Sequence, residues 1–293
     1  MRWAEGFIAV DWGTTNRRAY LIGGDGSRGE EFEDSKGALS VPPDAFPSAV
    51  AEIRDRLGNK PMLAAGMIGS NRGWIEAPYV QAPAGLDDIA RALVWGDEDT
   101  AIVPGVFDDD RADVMRGEEV QLLGAAAAGM IPSDCLVCHP GTHNKWVEIA
   151  GGRITTFRTV MTGELFNLLK EHSILADLLA PPVEPGAAFD AGVRRGLRAD
   201  DLSAELFSVR ARVLLGKAAG EDAASYTSGL LIGGDVRIGL GSVAPATEVV
   251  VMGRPELTRL YAAALAGVGR EAVELDGERC FVAGIQQIAE RIE

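Results

Sequence analysis

The chain carries one kind of turn twice. Asp11-Trp12-Gly13-Thr14-Thr15-Asn16-Arg17-Arg18 recurs as His139-Pro140-Gly141-Thr142-His143-Asn144-Lys145-Trp146. Each copy follows a short apolar run, Phe7-Ile8-Ala9-Val10 in the first and Cys135-Leu136-Val137-Cys138 in the second. Each leads into another apolar stretch that ends in a Gly pair, Gly23-Gly24 and Gly151-Gly152. Gly13, Thr14 and Asn16 have Gly141, Thr142 and Asn144 in register, and Arg17 is matched by Lys145. These residue types suit phosphate. Gly lets the backbone approach closely, N–H groups and Thr hydroxyls donate hydrogen bonds, and Arg or Lys supplies charge. A duplicated strand–turn–strand of this kind predicts two like domains facing each other. The plainer reading is a pair of ordinary hairpins without a ligand, but such turns rarely need Thr-x-Asn beside Gly.

The elements that must hold these turns can be read around them. Strands are expected at 7–12, 17–23 and near 29–34, then a helix from Pro43-Asp44 to Leu57 with Asp44 as its N-cap. A buried strand at 61–65 runs into a Gly-rich loop, Gly66-Met67-Ile68-Gly69-Ser70-Asn71-Arg72-Gly73-Trp74, and another strand covers 101–103. Asp108-Asp109-Asp110 reads as a solvated loop. Asp113 is the candidate cap of a helix through Glu118-Glu119 into the Ala125–Ala128 run. The second half opens with strands 135–139, 145–150 and 153–158. Helices follow at about 162–179, 187–198, 201–216 and 221–232. Strand 248–252, a helix to Ala266, strand 271–275 and a last helix 278–292 complete it. Each half thus opens with three adjacent strands and then alternates helices with single strands, the order of a mixed sheet covered on both faces. Ligands of such sheets lie at strand ends, here in the cleft between halves.

Composition removes other classes. The 293 residues are 47% hydrophobic and 24% charged, with a net charge of −15. That is ordinary for a globular protein and long enough for two domains. It disfavours nucleic acid and anionic membrane as partners, since both reward clustered Lys and Arg. No stretch has the length of a membrane span, and the first residues run into a strand without a secretory pattern. Three cysteines without framework spacing point to reduced thiols in the cytoplasm. Cys135 and Cys138 are three apart on a strand and point to opposite faces, so they share no metal. His139 and His143 have helical zinc spacing, but Pro140-Gly141 between them forbids the helix.

Two phosphate-type hairpins and a late strand–Gly–helix unit resemble the actin-like ATPase superfamily of sugar kinases, heat-shock 70 chaperones and actin. Within it the chain resembles the 2-dehydro-3-deoxygalactonokinases. The likeness rests on Asp11–Asn16, Gly66–Asn71 with Gly73-Trp74, and Val114-Met115-Arg116-Gly117-Glu118-Glu119. It continues in Pro140–His143 with Lys145-Trp146, Phe157–Leu165, Ser228–Gly233 and Ala283-Gly284-Ile285. One departure is Gly234-Asp235, where that family has Ala-Glu or similar. The resemblance implies an α/β fold of two actin-like, ribonuclease H-like lobes, each a mixed sheet flanked by helices, with the nucleotide cleft between them. The expected lobes are 1–131 and 132–293, with the last helix a candidate to cross back.

It also implies roles. The two turns would clamp ATP phosphates, through Gly13, Thr14, Thr15 and Asn16 in one lobe and Gly141, Thr142 and Lys145 in the other. Asp11 would place Mg²⁺, directly or through water; His139 at the matching position means only the first turn holds metal. Asp11 as a mere turn former and Lys145 as a solvated strand lysine are the alternatives. A kinase acting on a hydroxyl needs a carboxylate near the attacking oxygen. Glu118 and Glu119 diverge by about 100 degrees on a helix, so at most one faces the site. The segment also resembles the Gly-x-Glu stretch of exopolyphosphatases, which puts Glu119 on the motif; stabilising the helix dipole is the alternative for both. Arg17, Arg72, Arg116 and Arg158 lie near site loops. Arg116 is favoured for a substrate carboxylate because guanidinium binds both oxygens. Ser70, Asn71 and Trp74 would add polar contacts and a wall. Thr162-Gly163-Glu164 reads equally as a helix cap or a substrate contact, with Thr162 and Glu164 the polar members. Gly233, Gly234 and Gly253 would border adenosine, and Trp12 and Trp146 read as core.

The implied reaction is transfer of the ATP γ-phosphoryl group to the C6 hydroxyl of 2-dehydro-3-deoxy-D-galactonate, in galactonate breakdown. A phosphohydrolase of the same superfamily and a non-catalytic actin-like ATPase are the alternatives. The expected partner is a small sugar acid, and a homo-oligomer stays open.

Overall fold

The computed structural model describes residues 2–292. Packing separates two compact units. The first holds the chain up to Ser133, Ile149–Phe157 and everything from Gly277 on; the second holds Asp134–Glu148 and Arg158–Asp276. Both have the α/β organisation expected of actin-like lobes, a mixed sheet covered by helices.

The first sheet contains β1 (Gly6–Trp12), β2 (Arg17–Gly23), β3 (Arg28–Asp34), β4 (Met62–Gly66), β6 (Val94–Asp97) and β7 (Thr100–Ile102), after α1 (Phe46–Leu57), β5 (Val80–Gln81) and α2 (Leu86–Arg91) are set apart. Its order is β3-β2-β1-β4-β7-β6. β1 pairs antiparallel with β2 and parallel with β4. The side-chain alternation of β1 divides its two faces. Ile8, Val10 and Trp12 pack with Phe46, Val50 and Ile53 of α1, whose i, i+4, i+7 spacing makes one apolar stripe. On the other face Tyr20, opposite Ala9, meets Phe281.

A small sheet of the first unit joins β5, β8 (Val106–Asp108) and β9 (Asp113–Met115). The strand expected at 101–103 is β7; β6 and the small sheet were not legible in the sequence, because strands of two to four residues carry no periodicity. The small sheet corrects two readings. Asp108 is buried, accepting from the Thr156 hydroxyl, rather than solvated. Asp113 lies in β9, and α3 (Glu118–Ala127) starts after Gly117 at φ 108°. Asp44 also caps nothing: it sits inside a 3-10 turn that precedes α1. The last helix, α9 (Gly277–Ala289), crosses α3 closely. A Cβ on Gly284 would lie 1.9 Å from the Val120 carbonyl oxygen, and one on Gly124 2.3 Å from the Gly284 nitrogen.

The second sheet repeats the plan. It contains β10 (Cys135–His139), β11 (Asn144–Ala150), β12 (Arg153–Val160), β13 (Val249–Gly253) and β14 (Ala272–Asp276), in the order β12-β11-β10-β13-β14. Its helices are α4 (Thr162–His172), α5 (Ala187–Gly196), α6 (Leu202–Leu214), α7 (Ala223–Leu240) and α8 (Pro255–Ala266). The helix expected over 162–179 breaks after His172 into a 3-10 turn at Ala176–Leu179, and α7 runs eight residues past the expected 232. α7 is apolar nearly all round because it is the buried helix of this unit. It meets α5 through glycines: a Cβ on Gly229 or Gly233 would come within 2.1 or 2.3 Å of α5 carbonyl oxygens. Cys135, Cys138 and Cys280 are free and buried.

Candidate active site

In the first unit the site forms where the parallel strands β1 and β4 end. Asp11 sits at that end of β1, opposite Ala65 of β4. The turn after it is held from behind: the carbonyls of Gly13, Thr14 and Thr15 accept from the N–H groups of Ala38, Leu39 and Gly37. What the turn can offer a ligand is its own N–H groups and the exposed hydroxyls of Thr14 and Thr15. Asn16 donates its amide to Glu33 at 3.1 Å. Burial raises the Asp11 pKa to about 6. Arg18 works against that, while Glu118, Glu278 and Glu33 add to it.

Arg17 does not supply charge to this turn. Its guanidinium is fully buried, forked onto Asp34 at 3.0 Å, bonded to Glu52 and the Ala49 carbonyl, and stacked over Trp12. The next residue on the strand points the other way. Arg18 is therefore the cation that bears on Asp11.

The start of α3 reaches the same place. A Cβ on Gly117 would lie 3.4 Å from the Gly66 Cα, at the end of β4. Glu119 is fully buried; its Oε2 accepts the Gly117 N–H at 2.7 Å, and its Oε1 has no hydrogen-bond partner. Burial, then the Glu118 charge, raises its pKa to about 8. Glu118 instead turns toward the preceding backbone and accepts the Arg116 N–H at 3.1 Å. Arg116 donates through Nη2 to the Ala77 carbonyl at 2.8 Å and lies over the Tyr79 ring, while its Nε and Nη1 are buried without partners. An unpaired buried guanidinium edge and an unpaired buried carboxylate oxygen are costly unless a ligand completes them.

The Gly-rich loop is shaped by its own contacts. Ser70 Oγ donates to the Met67 carbonyl at 2.7 Å and accepts from the Arg72 N–H, so it fixes the loop. Asn71 is exposed. Trp74 covers Gly96, where a Cβ would come within 2.5 Å of its ring. That makes it a packing residue between loop and β6.

In the second unit the matching turn opens a cavity of about 280 Å³. Pro140, Gly141, Thr142, Thr162 and Gly163 line one side, and Ser228, Ile232, Arg254, Leu257 and Tyr261 the other. The mixture of backbone amides, hydroxyls and apolar walls suits a phosphorylated ligand with an apolar ring. Lys145 is buried, with Nζ 3.4 Å from the His143 carbonyl oxygen, so it is not a solvated strand lysine. Thr162-Gly163-Glu164 is not a helix cap: the N-cap of α4 is Met161, and the Thr162 hydroxyl goes to Asp235. Gly163 presses on the turn, where a Cβ would be 2.4 Å from the Gly141 oxygen. The Glu164 N–H donates to the Thr142 carbonyl, and its carboxylate holds His143.

Of the three glycines expected near adenosine, Gly253 adjoins the cavity-lining Pro140: a Cβ on it would lie 3.5 Å from the Pro140 carbonyl oxygen. Gly233 packs on Val193 of α5, and Gly234 lines a separate, smaller cavity with Gly196 and Leu230. The α7 residues that face the larger cavity are Ser228, Leu231 and Ile232, one helical turn earlier. Tyr261 and Arg254 were not singled out from the sequence, and Asp235 only as part of the Gly234-Asp235 departure from the family pattern.

Among the described residues no group of three or more His, Cys, Asp and Glu could hold a metal ion, and no helix is long and apolar enough to cross a membrane. Comparisons with known proteins bear on the family. Residues 11–288 match the family model of 2-keto-3-deoxy-galactonokinase. The 2-dehydro-3-deoxygalactonokinase of Escherichia coli (strain K12) is 40% identical, over 98% of this chain and 98% of its own. The crystal structure of a candidate 2-dehydro-3-deoxygalactonokinase from Sinorhizobium meliloti superposes with a TM-score of 0.91 at 36% identity, covering 98% of this chain and 99% of that one. Component A of the (R)-2-hydroxyglutaryl-CoA dehydratase of Acidaminococcus fermentans, at 12% identity and a TM-score of 0.52 over 98% of this chain and 99% of that one, shares the fold. The chain belongs to the 2-keto-3-deoxy-galactonokinase family.

Proposed function

We propose that this protein is an ATP-dependent kinase that phosphorylates the C6 hydroxyl of 2-dehydro-3-deoxy-D-galactonate. Membership of the family across the whole of 11–288 carries the reading. The unpaired groups in the first unit support it. The unpaired guanidinium N–H groups of Arg116 are suited to an anionic group such as the carboxylate of a sugar acid. Glu119 Oε1 is suited to take the proton of the attacking hydroxyl; a pKa raised to about 8 makes its carboxylate a stronger base but leaves the group largely protonated at neutral pH, so turnover should rise as pH approaches 8. In that step the C6 oxygen bonds the γ-phosphorus, the bond to the β-phosphate oxygen breaks, and ADP leaves. In the second unit the Gly141-Thr142 turn and Lys145 would hold phosphate, with the α7 and α8 side of the cavity taking adenosine.

Asp11 fits a Mg²⁺ ion that keeps several waters. Such an ion needs only one or two carboxylates besides phosphate oxygens, and Asp11 lies in a field made more negative by Glu118 and Glu278. When bound, the ion would neutralise charge on the β- and γ-phosphates. The buried, free cysteines support the cytoplasm as its compartment.

The test is ADP release in a coupled assay, with Mg²⁺ and ATP, with and without 2-dehydro-3-deoxy-D-galactonate. Turnover should require the sugar acid. ATP hydrolysis indifferent to it would sink the kinase reading.

A further inference from the structure

We propose that Asp235 is a positioning residue for the nucleotide side of the reaction: its buried carboxylate sets the geometry of the second phosphate turn and of the cavity beside it. This rests on the reading of that cavity as the nucleotide site.

Asp235 is an isolated acid in the middle of the apolar helix α7, and it is 1% exposed. Four donors from three other elements converge on it. Oδ1 accepts from Trp146 Nε1 at 2.6 Å. Oδ2 accepts from Asn144 Nδ2 at 2.9 Å, Thr162 Oγ1 at 2.5 Å and Tyr261 Oη at 2.5 Å. These donors are not a random sample of the core. Thr162 and Tyr261 line the cavity from opposite elements, and Asn144 closes the Gly141–His143 turn. Asn144 is fixed from its other side as well, since Cys138 Sγ donates to its Oδ1 at 3.5 Å.

The link from Asp235 to the turn is direct. Thr162 begins α4. The next residue, Gly163, abuts the Gly141 oxygen, and Glu164 N–H donates to the Thr142 carbonyl at 2.9 Å. Release of the Thr162 hydroxyl frees the start of α4, and with it the two contacts that shape the turn. A carboxylate fits because Trp146 Nε1 and Asn144 Nδ2 can only donate, one to each oxygen. An amide in either orientation would aim its N–H₂ group at one of those two donors, while the Thr162 and Tyr261 hydroxyls can turn to accept. An unpaired donor in so dry a place is expensive. Burial itself pushes the Asp235 pKa up, and the four hydrogen bonds oppose that.

The experiment is calorimetric titration of the whole protein with the non-hydrolysable ATP analogue AMPPNP plus Mg²⁺, and separately with the sugar acid. The proteins are the wild type, Asp235→Asn, Thr162→Val and Tyr261→Phe. Asp235→Asn should weaken nucleotide binding at least tenfold and leave the sugar-acid Kd within about twofold, because that ligand is assigned to the other unit. In steady state KM for ATP should rise by a similar factor, more than kcat falls. Thr162→Val and Tyr261→Phe should each weaken the nucleotide severalfold. In the Thr162→Val background, Asp235→Asn should cost less than it does alone. A folded Asp235→Asn protein with wild-type nucleotide affinity would overturn the proposal, as would equal loss of both ligands. If Asp235→Asn fails to fold, unchanged nucleotide affinity in both single hydroxyl variants would overturn it instead. A wild type that binds no nucleotide would remove the underlying functional reading, an outcome visible before any variant is made.

Discussion

Glu119 caps its own helix. It reaches back two residues to accept the Gly117 N–H at 2.7 Å, and this uses one carboxylate oxygen while the other stays buried and unpartnered. Gly117 makes the arrangement possible. Its φ of 108° is strained for any residue with a Cβ, and that conformation turns its N–H toward the first turn of α3. Glu118, one position earlier, is directed to the Arg116 N–H. Two neighbouring carboxylates at one helix start therefore have different surroundings: Glu119 is fully buried with one oxygen unpartnered, and Glu118 is half-buried.

Exchange of Glu119 for Gln should lower kcat by about 10²–10⁴, the usual effect of losing a general base, with little change in KM for ATP. Glu118→Gln should do far less. Steady-state kinetics on both variants check this. Full activity in Glu119→Gln would place the base elsewhere.

The same residue should tilt the pH dependence of stability. Glu119 has a folded-state pKa raised from 4.5 to about 8. Its contribution is thus fully present below the unfolded value and is lost as pH rises through about 8. Asp11 has the same sign, but its window closes near 6. Wild-type stability, read from the thermal midpoint, should fall as pH rises toward about 8 and level off above it; between pH 6 and pH 8, beyond the Asp11 window, the fall from Glu119 is at most about 1.4 kcal/mol per pH unit. Glu119→Gln should flatten that fall. Parallel slopes would mean Glu119 is not buried as a neutral acid.

The sequence made the duplicated turn visible because both copies keep Gly, Thr and Asn beside strands long enough to show as apolar runs. Helical geometry said that at most one of Glu118 and Glu119 faces the site, and the likeness to the Gly-x-Glu stretch of exopolyphosphatases chose Glu119. The sequence marked Asp235 only as a departure from the family pattern and assigned it no role, because its partners Asn144, Trp146, Thr162 and Tyr261 are brought to it only by the fold. Arg17 shows the converse error. Its match with Lys145 suggested a phosphate cation, but strand alternation turns it into the core against Asp34 and Glu52. Asp108 read as solvent-facing for its acidic neighbours, yet a three-residue strand with no readable period buries it.

Arg116→Lys should be a substrate-binding variant. Lysine keeps the charge but not the planar guanidinium, and the unpaired Nε and Nη1 donors, one of them assigned to the sugar-acid carboxylate, disappear. A charge-assisted hydrogen bond is worth about 1.5–3 kcal/mol, so kcat/KM for the sugar acid should fall on the order of 10- to 100-fold. KM for ATP should move little. An unchanged sugar-acid KM would remove Arg116 from the substrate site.

Asp11→Asn should separate activity from stability. Most of kcat should be lost, since the residue is assigned to Mg²⁺ at the phosphates. The fold should not suffer. The substitution removes a carboxylate that burial, Glu118 and Glu278 already disfavour as a charge, so the thermal midpoint at neutral pH should hold or rise. Near-wild-type turnover in a folded variant, or an unaltered response to Mg²⁺, would rule out the metal assignment.

The last prediction concerns a residue that is assigned no contact with a ligand. Gly284 of α9 crosses α3 so closely that a Cβ would sit 1.9 Å from the Val120 oxygen. That oxygen belongs to backbone, which cannot rotate away as a side chain does, so Gly284→Ala must push the helices apart. Overpacking of this kind costs about 1–3 kcal/mol. Val120 follows Glu119 directly, so the displacement falls on the start of the helix that carries the base. Gly284→Ala should therefore lower the thermal midpoint and also reduce kcat, whereas Gly129→Ala, at φ 64° with no atom within 4 Å of its Cβ position, should lower the midpoint through backbone strain alone. Thermal melts and kcat for both variants decide it: equal kcat in the two proteins would show that the α3–α9 crossing supports the fold without positioning Glu119.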